Sequence, residues 1–420
     1  MGMERIGELI LTYRQRENIS LSALAERTGV SKTALSKIET GETKRPGFAL
    51  WKKIARTLNI PYAHVVRIYL DATEQPATIK LLLDESIALN NKTLMQKAAQ
   101  RLLETPKMDT FLALDHLLQV TKGAAESYAK LALHDVMIDF ARKQGIPYYL
   151  GKSLYERYML ERDDFSRFEE TYRRGKELLH YIEFLSPQER IDFYYRMGVH
   201  AYILEYYAES IDLCSKGIRS DETDSRSKAS ALISIVNAYL HVGDLIMADV
   251  YLKMYEASKY ADYRKDHLRA LLQAKKGEYE EAIRLYHLCL EEVETDRRIT
   301  IVSDLLEVYL DSGNDDRIKE LIVSEDQFLP ADILAHPYRI KQAARYYKRK
   351  GVCQLSIGLV DEGFASLLES MGYYQKLGDS DRVMECVGLY LQHHRLHKRT
   401  ISFDQMEKIE RMCHNDAIKE

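Results

Sequence analysis

The sequence predicts an all-α protein, and three observations carry that expectation. Only 8 prolines and 20 glycines interrupt 420 residues rich in Leu, Ala, Glu, Lys, Arg and Tyr, a composition that favours helix almost throughout. Residues 20–41 read as two short helices folded about a glycine. From residue 78 onward, amphipathic segments of 12 to 20 residues alternate with short turns often marked by Gly. A chain of this length needs more than one core, so at least two domains are expected. The expected division is a first domain at 1–68, a polar linker at 69–76 and a helical domain at 77–420.

The first domain is carried by SLSALAERTGVSKTALSKIETG, residues 20–41. Ser20 is placed to cap one helix, with Leu21, Leu24 and Ala25 as its apolar stripe. Gly29 follows where a left-handed backbone is needed, and Val30 packs beneath the turn. Ser31 caps a second helix whose buried face is Ala34, Leu35 and Ile38, and Gly41 stops it. The other face shows Lys32, Thr33, Ser36 and Lys37, and a basic run, Lys44 and Arg45, comes straight after. A short helix with an apolar back and a hydroxyl-and-amine front suits the DNA major groove. The stretch Ile6–Val66 resembles the compact five-helix DNA-binding domain of phage repressors and Xre-type regulators. That resemblance implies that Ser31, Lys32, Thr33, Ser36, Lys37, Lys44 and Arg45 contact double-stranded operator DNA. One position departs from the pattern: the residue after the first cap, often glutamine in that family, is Leu21.

Charge supports the division. Residues 1–70 hold 12 Lys and Arg against 6 Asp and Glu, whereas the remaining 350 hold 48 against 58. Phosphate affinity comes from local neutralisation and counterion release, so an acidic whole-chain balance is compatible with a basic module.

The second domain repeats. The segments 198–218, 236–255, 270–290, 306–322 and 351–371 align on Ser210, Ala248, Ala282, Ile318 and Gly363, at steps of 38, 34, 36 and 45. A looser copy lies at 150–174, and 373–394 is a candidate final pair. Paired helices at a period near 34, with KKGEYEEAIRLY as the sharpest copy, resemble the tetratricopeptide repeat. That resemblance implies a right-handed superhelix with a concave wall, since each pair has a face it cannot bury alone.

The repeat register places Tyr195, Tyr202, Asn237, His241, Arg264, His267, Lys275, Glu307, Arg345 and Lys348 on inward faces. Asn237 stands out in the otherwise apolar run ALISIVNAYL, where a lone amide must find a partner. Two roles stay open for it: contact with an extended peptide backbone, or a bond to a neighbouring helix. The cations suit a carboxylate.

The order of the two domains resembles the RRNPP-type peptide-pheromone receptors of Gram-positive bacteria and their phages, typified by Rap, NprR, PlcR, PrgX and AimR. Length and domain order are most like NprR and the arbitrium receptor AimR. The resemblance implies a homodimeric transcription regulator switched by an imported signalling peptide of about five to eight residues, with Asn237 where family members place a peptide-contacting asparagine; the register adds Tyr202, His241, Arg264, His267, Glu307, Arg345 and Lys348 as candidate contacts. A Rap-like regulator that binds a response regulator through residues 78–145 is the alternative. No glycine-rich phosphate loop, G-x-S-x-G or metal-spaced His cluster is present, so neither an enzyme nor a cofactor is expected. His393, His394 and His397 read as a solvated helix end. Five dispersed cysteines read as small buried residues, and the absence of a signal peptide or an 18-residue apolar run leads to the expectation of a cytoplasmic chain.

Overall fold

The computed structural model describes residues 6–294, 297–329, 332–335 and 337–413, and every regular element among them is helical. The chain divides into two compact units, 1–190 and 191–420. This boundary differs from the one expected at residue 77. The helices that follow the DNA-binding segment belong to the first unit, and the repeats alone form the second.

Unit 1 opens with five short helices, α1 (Ile6–Arg16), α2 (Leu21–Thr28), α3 (Lys32–Glu39), α4 (Phe48–Thr57) and α5 (Tyr62–Ala72). Their apolar faces meet around Leu24, Leu35, Ile38, Ile54 and Trp51, all essentially inaccessible to solvent. The Trp51 indole donates to the Val65 carbonyl at 3.2 Å, so its buried N–H is satisfied. Seven further helices follow, α6 (Pro76–Ala88), α7 (Lys92–Glu104), α8 (Thr110–Gly123), α9 (Ser127–Gln144), α10 (Pro147–Glu161), α11 (Phe168–Gly175) and the start of α12 (Pro187–Ile203). The expected linker is shorter than 69–76. Helix α5 runs on to Ala72, and the buried Tyr69 donates to the Pro46 carbonyl at 2.8 Å, which leaves only 73–75 between helices. The looser repeat copy at 150–174 coincides with α10 and α11.

Unit 2 is a series of antiparallel pairs. These are the rest of α12 with α13 (Tyr207–Ser220), α14 (Arg226–Val242) with α15 (Leu245–Glu256), and α16 (Arg264–Lys275) with α17 (Tyr279–Glu292). Then come α18 (Arg298–Asp311) with α19 (Asp315–Val323), α20 (Pro337–Ser356) with α21 (Val360–Lys376), and α22 (Ser380–Leu396) with α23 (Phe403–Cys413). The segment 373–394 is therefore not a pair: it joins the end of α21 to α22, and the final pair is α22 with α23. Three core clusters follow one another along the pairs and share the flanking side chains Leu271 and Tyr373, with fully buried Tyr255, Tyr286, Tyr346, Tyr374 and Tyr390 filling the inter-helix space.

Most turns within the pairs hold one left-handed residue. Gly243, Gly277, Gly313 and Gly358 supply it at φ between 70° and 87°, a conformation without penalty for glycine. In the first pair the same place is taken by Glu205 at φ 63°.

Candidate DNA interface and inner-face site

Helix α3 is built to present one face. Ser31 Oγ accepts from Ala34 N at 3.2 Å and Ser20 Oγ accepts from Ala23 N at 3.1 Å, so both helices are capped as the sequence suggests. Gly29 is left-handed at φ 60° and its N–H closes α2. Leu35 and Ile38 are buried while Ala34 is half-buried; Ser31, Lys32, Thr33, Lys37, Lys44 and Arg45 are exposed, and Ser36 is partly so. Lys32, Thr33, Ser36 and Lys37 thus form a continuous polar face on one side of α3. Lys37 comes no nearer than 3.9 Å to Glu42, both exposed, so the ammonium remains available.

Two features hold α3 in place that sequence reading overlooked. Arg14 Nε and Nη2 donate to both Glu39 carboxylate oxygens at 2.7 and 2.8 Å, and Nη1 donates to the Ile19 carbonyl at 3.0 Å. This fork fixes the end of α3 to α1, and the Glu39 bond raises the Arg14 pKa. Gly7 lets α1 approach α3 so closely that a Cβ there would lie 2.1 Å from the Ile38 carbonyl oxygen. A charged pair at 14 and 39, and a glycine inside a predicted helix, were the available signals.

In unit 2 the inward candidates separate into three groups. Tyr202, His241 and Arg345 come together. The His241 ring stacks on Tyr207 with centroids 4.4 Å apart, and Tyr207 lies 6.2 Å from Tyr202. The charge of Arg345 acts on Tyr202, Tyr207 and His241. Burial first, then the positive charge of Arg345, holds the His241 pKa below its ordinary value.

His267 and Glu307 belong to a network that includes two residues the sequence reading omitted. His267 Nε2 lies 2.8 Å from Asp304 Oδ2, and Arg349 pairs with Asp304 and, at 2.5 Å, with Glu307. Lys275 lies 3.8 Å from the same Glu307. Despite burial, Arg349 and His267 hold the Asp304 carboxyl well below the usual carboxylate range. Asp304 sits in the run ITIVSDLLEVYL, where the argument applied to Asn237 would have found it.

The remaining candidates have partners outside these two groups. Arg264 is clamped by Asp262 at 2.8 Å, and Lys348 pairs with Glu385 at 2.9 Å. Asn237 is half-exposed and its Nδ2 donates to the Ile233 carbonyl of its own helix at 2.9 Å, which leaves Oδ1 as an acceptor. Tyr195 is not an inward residue: it is 1% exposed, packs in the core and donates to Asp221 at 2.9 Å.

Beside this group, Glu205 binds Lys341 at 3.2 Å and also pairs with Arg382, joining the first helical pair of unit 2 to the last two. Lys341 donates as well to the Ile203 carbonyl at 3.2 Å. These residues, with Leu204, Asp379, Asp381 and Glu385, line a cleft of about 380 Å³, near the lower end of ligand-pocket sizes.

Two other sequence readings are corrected. Cys413 is exposed, although the other four cysteines are buried. His394 is buried beneath Tyr390, with Nδ1 3.2 Å from the Tyr390 carbonyl, so only part of the histidine group is a solvated end. Among the described residues no helix is long and apolar enough to cross a membrane, and no three His, Cys, Asp or Glu residues are grouped to hold a metal.

The fold and the α3 face define a helix-turn-helix domain joined to an all-helical repeat unit. Residues 10–65 match the helix-turn-helix family. The same region is 44% identical over 55 residues to the HTH-type transcriptional regulator SlrR of Bacillus subtilis, covering 13% of this chain and 36% of SlrR. It is 38% identical over 60 residues to the HTH-type transcriptional repressor RghR of the same organism, covering 14% and 44%. The chain therefore spans about two fifths of the length of the curated relatives it matches. A solved structure of Bacillus thuringiensis PlcR, in complex with the peptide PapR7 and DNA, aligns over 91% of this chain and 99% of that one. The identity is 14% and the TM-score 0.29, too low to equate the two folds.

Proposed function

We propose that this chain is a transcriptional regulator that binds double-stranded operator DNA through α3 and is switched by a short imported signalling peptide bound in unit 2. The observation that carries the reading is the exposed face of Lys32, Thr33, Ser36 and Lys37 on a capped helix whose far end is forked to α1 by Arg14. Lys and Arg at 32, 37, 44 and 45 supply phosphate contacts, and Thr33 and Ser36 reach base edges. Identity with transcriptional regulators over this segment supports the same reading. A homodimer places two such helices on half-sites about one helical turn apart, so peptide-driven change in the dimer controls docking.

The peptide reading is supported by the resemblance in domain order and by the aromatic and polar groups that unit 2 brings together at Tyr202, Tyr207 and His241, with Asn237 Oδ1 one turn before His241 on the same helix. It places the protein in the cytoplasm, in a cell-density, sporulation or phage lysis–lysogeny circuit.

The test starts from fragments of source DNA selected by the wild-type protein. Lys32→Ala with Lys37→Ala should abolish specific retention and lower the salt slope by about two, with helicity unchanged by circular dichroism. Normal retention by the double variant would exclude this docking. Asn237→Ala should weaken peptide binding by about 1 kcal/mol, roughly fivefold, through loss of the Oδ1 acceptor; calorimetry on a selected peptide reads it directly.

A further inference from the structure

Four cations share one face of α20: Lys341, Arg345, Lys348 and Arg349, at i, i+4, i+7 and i+8. Three are matched. Lys341 has Glu205, Lys348 has Glu385, and Arg349 has Asp304 and Glu307. Arg345, in the middle of the row and half-buried, makes no hydrogen bond or ion pair among the described residues. Its charge nevertheless acts on groups from five other helices: Tyr202, Tyr207, His241, Asp304 and Tyr374. Asp304 is occupied by Arg349 and His267, and Glu205 by Lys341 and Arg382. Among the described residues, Arg345 is therefore the one cation of the α20 row without an ion pair of its own, beside carboxylates that already serve other cations.

We infer that Arg345 receives a carboxylate of the ligand of unit 2, flanked by the Tyr202 phenol and the Tyr207–His241 stack; this rests on the peptide reading above. A guanidinium presents a planar pair of N–H donors that matches a carboxylate in two parallel bonds, a geometry an ammonium does not offer. The stacked rings, 7° from parallel, form a flat wall against which the adjoining side chain of the ligand lies. The carboxylate comes from the peptide terminus or from an Asp or Glu side chain, and both place the same group on Arg345.

The experiment uses the full-length chain and a positional-scanning library of N-terminally labelled hexapeptides, made as free acids and as C-terminal amides, with binding read by fluorescence anisotropy. The best free-acid peptides should lose at least tenfold in affinity for Arg345→Met, with partial recovery in Arg345→Lys. If the terminus is the source, amidation weakens binding tenfold in the wild type and little in Arg345→Met. If a side chain is the source, amides bind the wild type as well as acids do, the selected peptides share an Asp or Glu, and its replacement by Asn or Gln reproduces the loss. Undiminished binding to a folded Arg345→Met or Arg345→Gln overturns the assignment and leaves the peptide reading standing. Absence of binding by any hexapeptide to the wild type overturns the peptide reading, and this assignment with it.

Discussion

Gly7 shows how one absent methyl group positions a whole helix. A Cβ there would lie 2.1 Å from the Ile38 carbonyl oxygen, and that oxygen belongs to backbone that cannot rotate away. Gly7→Ala should destabilise the first five helices by about 1–3 kcal/mol, the usual cost of overpacking, although alanine is the better helix former. Denaturant unfolding measures it, and a stabilised variant would disprove the close approach of α1 and α3. Glu205 is the opposite case, a side chain where four of the five other pairs carry glycine. A left-handed non-glycine residue costs about 1–2 kcal/mol, and such strain persists only where neighbours enforce it. Here Lys341 and Arg382 do so. Glu205→Gln should therefore destabilise unit 2 more than Glu205→Gly, since both remove the ion pairs but only glycine relieves the backbone. Thermal unfolding of both variants gives the ranking, and equal losses would show that the turn is unstrained.

Among the elements, α9 carries an unusual buried group. His134 is 3% exposed, its Nδ1 has no partner, and burial followed by the charges of Arg157 and Lys130 lowers its pKa to about 4. The unfolded chain takes up a proton near pH 6.5 and the folded chain does so only near 4. Stability from the neutral ring is therefore present above pH 6.5 and is lost as pH falls between these values, by a total on the order of 3 kcal/mol. Replacing His134 with Gln should flatten that part of the stability profile, which denaturant titrations at pH 7 and pH 5 will show. Helix α3 depends on its neighbour in a different way. Removing Arg14 leaves Glu39, only 9% exposed at its side chain, without its fork. Arg14→Ala should cost about 1–3 kcal/mol and weaken DNA retention together with stability.

At the scale of the molecule, each unit has its own cores, and the expected division at residue 77 differs from the one observed at 190. Helix α5 explains the difference. Its Tyr69 and Leu70 are buried, and Arg101 on α7 donates to the Thr73 carbonyl at 2.9 Å, so the short break at 73–75 is anchored to the helices after it. A polar stretch in a sequence marks a change of element, and only packing shows whether it separates two cores.

The amino-acid sequence by itself determined the helical class, both caps and the glycine turn of the first domain, the polar face of α3 and the period of the repeats. These follow from local spacing and from backbone rules that act within a few residues. The inner-face chemistry was only partly legible. Tyr202, His241 and Arg345 were named from register, yet Tyr195 turned into the core and Arg264 and Lys348 found partners. Asp304, Arg349 and Glu205 were overlooked because their roles depend on residues 37 to 177 positions away. Tertiary structure alone decided which charges are neutralised and which guanidinium is left over, since Coulomb pairing is settled by distance in space, and sequence separation does not encode it.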